Sequence, residues 1–236
     1  MHDELFLVTG ASGKLALAFI KKLKKENKTV FALSRNVLKI EGVESLVVDL
    51  LDKNNLSEEL KKVDFTNFSK IFLIHPVGKF KFERSFHGID DEVYNTNFVT
   101  IKNIIDTISS LSEKQKLKVC AFASVSDKYD VPFWQSYTKS KNLIRSYLKS
   151  LCDASMSGAL MANVSTVDTG NENLLRPNAD KTYWLDPDEI VEKVLNELSG
   201  LSGYKEIDIF KVKPGFDQSY YLDHKAILSK WENEMD

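Results

Sequence analysis

The chain has 236 residues, enough for one α/β domain with a sizeable core. Its 32 basic and 34 acidic residues leave a net charge of -2, which gives no reason to expect nucleic acid or an acidic membrane surface as a partner. Two cysteines make no disulfide framework, no apolar run reaches membrane-spanning length and the first strand pattern begins by residue 4, so a cytoplasmic protein without a leader is expected.

Residues 4–9 read as a buried strand. They run into Thr9-Gly10-Ala11-Ser12-Gly13-Lys14-Leu15-Ala16 and then a helix over 14–26, where Leu15, Ala18, Phe19, Ile20 and Leu23 trace one apolar stripe opposite lysines. In a strand–turn–helix of this kind Gly10 permits the tight turn and Gly13 lets backbone approach a pyrophosphate. Ala16 keeps the helix close to the sheet. The helix N-terminus then offers free amides to phosphate, so a dinucleotide site is expected here, with Ser12, Lys14 and Leu15 in the turn.

A second strand, 29–34, ends at Ser34-Arg35. A carboxylate at this place would accept hydrogen bonds from a free ribose, whereas a guanidinium grips a 2′-phosphate, so NADP(H) is expected over NAD(H). Lys14 adds a second positive charge. Strands follow at 44–48, 69–75, 117–124, 158–164 and 206–211, with helices at 90–112, 134–153 and 187–199. Pro187 with Asp188 and Glu189 makes a favourable first turn for the last of these. Repeated strand–helix–strand units predict a single doubly wound Rossmann-type domain with a mainly parallel seven-stranded sheet over residues 1–236. Residues 170–186 are read as a substrate lid and 214–236 as a C-terminal tail. Arg176 in the lid is weighed between a partner for a substrate carboxylate and a solvated side chain.

The fifth strand closes on Ser124, and thirteen residues later comes Tyr137-Thr138-Lys139-Ser140-Lys141. Residues four apart share a helix face. The spacing alone is weak, since Tyr221 and Lys225 repeat it without a serine-ended strand before them. With the strand and the glycine turn it predicts hydride-transfer chemistry. Tyr137 exchanges a proton with the substrate oxygen, and the Lys141 ammonium favours the phenolate of a group whose ordinary pKa is about 10. Ser124 hydrogen-bonds and polarises the oxygen.

On these residues the chain resembles the short-chain dehydrogenase/reductase family over nearly its whole length, as a divergent member. The resemblance implies a catalytic tetrad of Asn97, Ser124, Tyr137 and Lys141. In it Asn97 positions a water that relays protons to Lys141, and Lys141 also holds the nicotinamide ribose. It implies adenine contacts at Asp49 with Leu50, and a nicotinamide contact at Thr169 in Val167-Asp168-Thr169. His75, in Ile74-His75-Pro76-Val77-Gly78, is expected to fill a structural slot at the cofactor rather than to act as a base. Val164-Ser165 stand where the main branch has Pro-Gly. No metal is expected. The expected partner is a small carbonyl or alcohol, and the helices 90–112 and 134–153 are expected to pair in a homodimer or homotetramer. An extended-branch epimerase or dehydratase, a non-catalytic dinucleotide sensor and a purely structural protein are the other readings.

Overall fold

The structure is a computed structural model and describes residues 4–235. Seven strands form one parallel sheet: β1 (Glu4–Thr9), β2 (Thr29–Ser34), β3 (Glu44–Val47), β4 (Lys70–His75), β5 (Leu117–Ser124), β6 (Gly158–Val164) and β7 (Gly203–Ile209). Their spatial order is β3-β2-β1-β4-β5-β6-β7, so the direction of winding reverses between β1 and β4. In an open parallel sheet that reversal leaves a crevice beyond the strand C-termini, the usual seat of a ligand.

Alternation along the strands supplies two cores. Leu5, Leu7, Leu73 and Val119 face one side, against Ile101, Ile104 and Ile108 of α4 (Thr100–Leu111) and Ile144 and Leu148 of α6 (Gln135–Ala154). Phe6, Val8, Phe72 and Ile74 face the other, against Phe19 and Ile20 of α1 (Lys14–Lys25) and Val191 and Val194 of α8 (Pro187–Ser199). Both faces are covered, as apolar parallel strands require.

Several elements depart from the expectation. The α2 helix (Lys53–Leu60) buries only Leu56 and Leu60, too little periodicity to stand out in the sequence, and is started by the Asp52 carboxylate accepting from the amides of Asn54 and Asn55. The predicted helix 90–112 is α3 (Asp91–Tyr94), a π-helical turn over Asn95–Val99, and α4. β7 begins three residues before its expected start. Residues expected as a tail hold α9 (Gln218–Leu222) and α10 (His224–Met235). The lid contains α7 (Asn171–Leu175) and is tied to the sheet side by a bridge between Val167 and Leu185.

Candidate active site

The strand ends, the glycine turn and the C-terminal helices enclose one cleft of about 870 Å³. At its floor, Gly10 has φ +59° and a Cβ there would lie 2.8 Å from Val77 Cγ2, so both backbone shape and the loop after β4 demand glycine. Gly13, extended at φ -79°, is the N-cap of α1 with no side-chain cap, and the first turn carries no acidic residue. Its amides therefore keep their capacity for an anion. This cradle, with Lys14 on the rim, fits a dinucleotide pyrophosphate.

Of the predicted cofactor residues, Gly10, Ser12, Gly13, Lys14, Leu15 and Thr169 line this cleft, and so does Lys141. Lys14 Nζ lies 3.7 Å from the Asp168 carboxylate, which tempers its charge. The others lie outside the lining. Ser34 is buried, its hydroxyl donating to the Asn36 carbonyl, while Arg35 is exposed just beyond β2. The exposed Asp49 carboxylate accepts from the Leu51 amide, and the carbonyl of the buried Leu50 accepts from Asn103 Nδ2. His75 sits between two hydroxyls, Nδ1 at 2.8 Å from Thr9 Oγ1 and Nε2 at 3.2 Å from Thr100 Oγ1. Burial, with the Lys141 charge nearby, pushes its pKa down to about 3, so the ring is neutral and committed to its neighbours.

Ser124, Tyr137 and Lys141 meet in the cleft. Ser124 ends β5 and caps α5 (Val125–Lys128), its Oγ accepting from the Ser126 amide at 3.1 Å and lying 3.0 Å from Ser126 Oγ. A hydroxyl that accepts the amide through a lone pair can still turn its O–H as a hydrogen-bond donor toward a substrate oxygen when Ser126 Oγ is not its acceptor. Tyr137 and Lys141 lie one turn apart on α6, with Lys141 Nζ 5.1 Å from the centre of the Tyr137 ring. Burial holds the Lys141 pKa down to about 8 against the pull of Asp127, with Arg145 adding to the depression. Burial raises that of Tyr137, and the carboxylates of Asp127 and Glu172 raise it further, so Tyr137 rests as the phenol.

Asn97, fully buried in the π turn, does not line the cleft. Its Oδ1 accepts from the Lys79 amide at 2.7 Å, and its Nδ2 donates to the Lys79 carbonyl and to Ser140 Oγ, each at 2.8 Å. Ser140 in turn donates to the Tyr137 carbonyl, so Asn97 pins the loop after β4 onto the α6 turn that carries Tyr137 and Lys141. A π turn is a common way to aim one such side chain.

Sequence reasoning did not find the aromatic wall of the cleft. Phe80, Trp134, Tyr220, Tyr221 and Trp231 line it, joined through ring contacts such as Phe80–Trp134 at 5.5 Å and Trp134–Trp231 at 4.5 Å. Tyr221 stacks on Tyr129 at 4.9 Å, and Asp223 separates its helix from that of Lys225, so the repeated Tyr–Lys spacing does not share a helix. Arg176 lines the cleft and is not solvated. It is buried, paired with Glu172 at 3.1 Å and Glu234 at 3.2 Å, and laid over Trp231 at 3.8 Å. Leu174 is exposed, while Trp184 packs inward. Among the described residues no cluster of metal-ligating side chains occurs, and no helix is long and apolar enough to cross a membrane.

No family model matches the chain, and no curated protein sequence does. Solved structures do. One of 4-hydroxyisoleucine dehydrogenase complexed with NADH matches with a TM-score of 0.69 at 18% identity, over 87% of this chain and 97% of that one. Actinorhodin polyketide ketoreductase with NADPH matches at 0.70 and 16%, over 89% and 96%. A short chain dehydrogenase from Bacillus anthracis matches at 0.71 and 13%, over 88% and 95%.

Proposed function

Because the chain has the short-chain dehydrogenase/reductase fold, we propose that it is an NADP(H)-preferring oxidoreductase acting on a small carbonyl/alcohol pair, with Tyr137 as the general acid and base. The observation that carries this reading is the convergence of Ser124, Tyr137 and Lys141 with the glycine cradle in one cleft. A nicotinamide bound there would supply or accept the hydride. In the reducing direction the Ser124 hydroxyl donates a hydrogen bond to the carbonyl oxygen and orients it, keeping its proton. Tyr137, resting as the phenol, gives that oxygen its proton as the alcohol forms. Lys141, with a pKa of about 8, is poised to resupply the proton near neutral pH. Oxidation runs the same transfers backwards. Screening carbonyls for NADPH oxidation tests the assignment, and a protein that binds neither NADPH nor NADH would overturn it.

The preference for NADP(H) rests on Arg35, exposed at the end of β2 where a 2′-phosphate would lie. A charge-assisted hydrogen bond contributes about 1.5–3 kcal/mol, roughly 10- to 150-fold in affinity. Arg35→Asp is expected to weaken NADPH by about that much and to spare NADH, whose ribose hydroxyls find a partner in the new carboxylate. The ratio of the two dissociation constants, measured in both proteins, decides it. An unchanged ratio makes Arg35 an ordinary surface residue.

Self-association belongs to the same reading, as a homodimer or homotetramer in the cytoplasm. Tyr94 and Phe98 pair at 5.6 Å, Phe98 meets Tyr147 of α6 at 5.9 Å, and Leu143 on that helix is exposed. Phe98 and Tyr147 are only partly buried against the core, so both helices keep some apolar surface. Light scattering at micromolar concentration is expected to give at least a dimer mass, and a monomer mass would reject this interface.

A further inference from the structure

Behind Ser124 lies an ion pair whose charges bear on Tyr137 and Lys141 but whose placement no step above uses. The Asp127 side chain has no solvent exposure, and one of its oxygens accepts the Ser124 backbone amide at 2.7 Å while the other lies 2.7 Å from Arg145 Nη2. Ser124 and Asp127 thereby form a reciprocal capping box around α5. That helix is four residues long. Removing a carboxylate and a guanidinium from water costs more than one helix cap contributes, so stabilising a single turn does not account for the arrangement.

Arg145 shows where the constraint leads. It follows Lys141 by four residues and Tyr137 by eight on α6, so the three share a face. Its guanidinium is held in place from the sheet side. Nε is 3.1 Å from both Glu206 oxygens, and Nη2 donates to Asn163 Oδ1 at 2.8 Å. Asn163 in turn donates to Asp208 on β7 at 2.9 Å. The pair therefore ties the end of β5 to the helix carrying Tyr137 and Lys141, with β6 and β7 as its support.

We propose that Asp127, seated by Arg145, is a positioning residue that fixes the Ser124 hydroxyl relative to Tyr137. The inference rests on the reading of Ser124 as the group that orients the substrate oxygen. Displacing an orienting group by about 1 Å lowers turnover on the order of 10²-fold. Asp127→Ala is expected to lower kcat by about 10- to 100-fold while leaving the NADPH dissociation constant within about 2-fold. Asp127→Asn keeps an oxygen for the Ser124 amide and is expected to recover part of the loss.

The deciding experiment is a double-mutant cycle with Ser124→Ala. If Asp127 acts through the serine hydroxyl, Asp127→Ala in the Ser124→Ala background lowers kcat by less than about 2-fold more. Equal fractional losses in both backgrounds overturn the proposal, because a general structural defect acts on either. So does an Asp127→Ala protein with the kcat of the parent. Should Asp127→Ala fail to fold, judged by circular dichroism and NADPH binding, Asp127→Asn takes its place in the cycle: a loss confined to the Ser124 background supports the proposal, and an equal loss in both overturns it. A Ser124→Ala protein of unchanged kcat overturns the assignment of Ser124 itself, and the proposal with it.

Discussion

Replacing Tyr137 by Phe is expected to remove most turnover while leaving NADPH binding nearly intact. The ring, its edge contact with Phe80 at 6.2 Å and its place under Lys141 survive the change. Only the transferable proton is lost, and proton transfer by a positioned side chain is worth about 10²- to 10⁴-fold in rate. Tyr221→Phe is the matched control. Tyr221 also lines the cleft, but its ring is engaged in stacking on Tyr129 and it has no lysine one turn on along its own helix. Steady-state kinetics with dinucleotide titrations on both variants decide between them. Wild-type turnover in the Tyr137 variant, or inactivation by the Tyr221 change, would move the chemistry to another residue.

The largest stability effect is expected at Arg176. Its guanidinium joins α7 to α10 through Glu172 and Glu234, adds a hydrogen bond to Thr166 at 3.1 Å, and is sandwiched near Trp184 and Trp231. Arg176→Met keeps much of the volume but leaves Glu172 without its cation beside a Glu234 that keeps only Lys230, a change expected to cost about 3–5 kcal/mol. The effect should depend on pH. Burial already raises the Glu172 pKa, with Arg176 opposing that rise and Glu234 reinforcing it. A carboxyl whose folded pKa lies above its unfolded value favours the fold at low pH and loses that contribution as pH rises through the folded pKa. Without Arg176 the opposition disappears, so the deficit should be larger at about pH 7.5 than at about pH 5. Urea unfolding at the two values checks this. A small deficit, equal at both, would mean that Trp packing alone holds α10 in place.

Much of the fold was legible in the residues because the physics involved is local. β1, β4 and β5 are near-continuous apolar runs, as strands covered on both faces must be, and α1, α6 and α8 repeat apolar residues at the helical period. The glycine turn announced itself through position: strand before, helix after, and glycine where φ is positive. Ser124, Tyr137 and Lys141 could be picked out in order for the same reason, since each stands at a defined place on a recognisable element. The Ser124–Asp127 capping box left a local trace as well, a serine and an acid three residues apart at a strand end, but that spacing alone did not mark Asp127 as buried.

What tertiary structure alone decided depends on partners far away in the chain. His75 became a neutral core residue because Thr9 and Thr100 close on its two nitrogens, and nothing near position 75 encodes them. Asn97 spends its amide on Lys79 and Ser140, a placement set by the π turn. Arg176 and the last two helices show the same limit most plainly. Ile227 and Trp231 pack against Val131 and Trp134, roughly a hundred residues earlier, so the apolar stripe that makes 214–235 a wall of the cleft has meaning only once α6 and the lid are in place. Periodicity reports which face of an element is apolar. Which distant surface covers that face is settled by burial across the whole molecule.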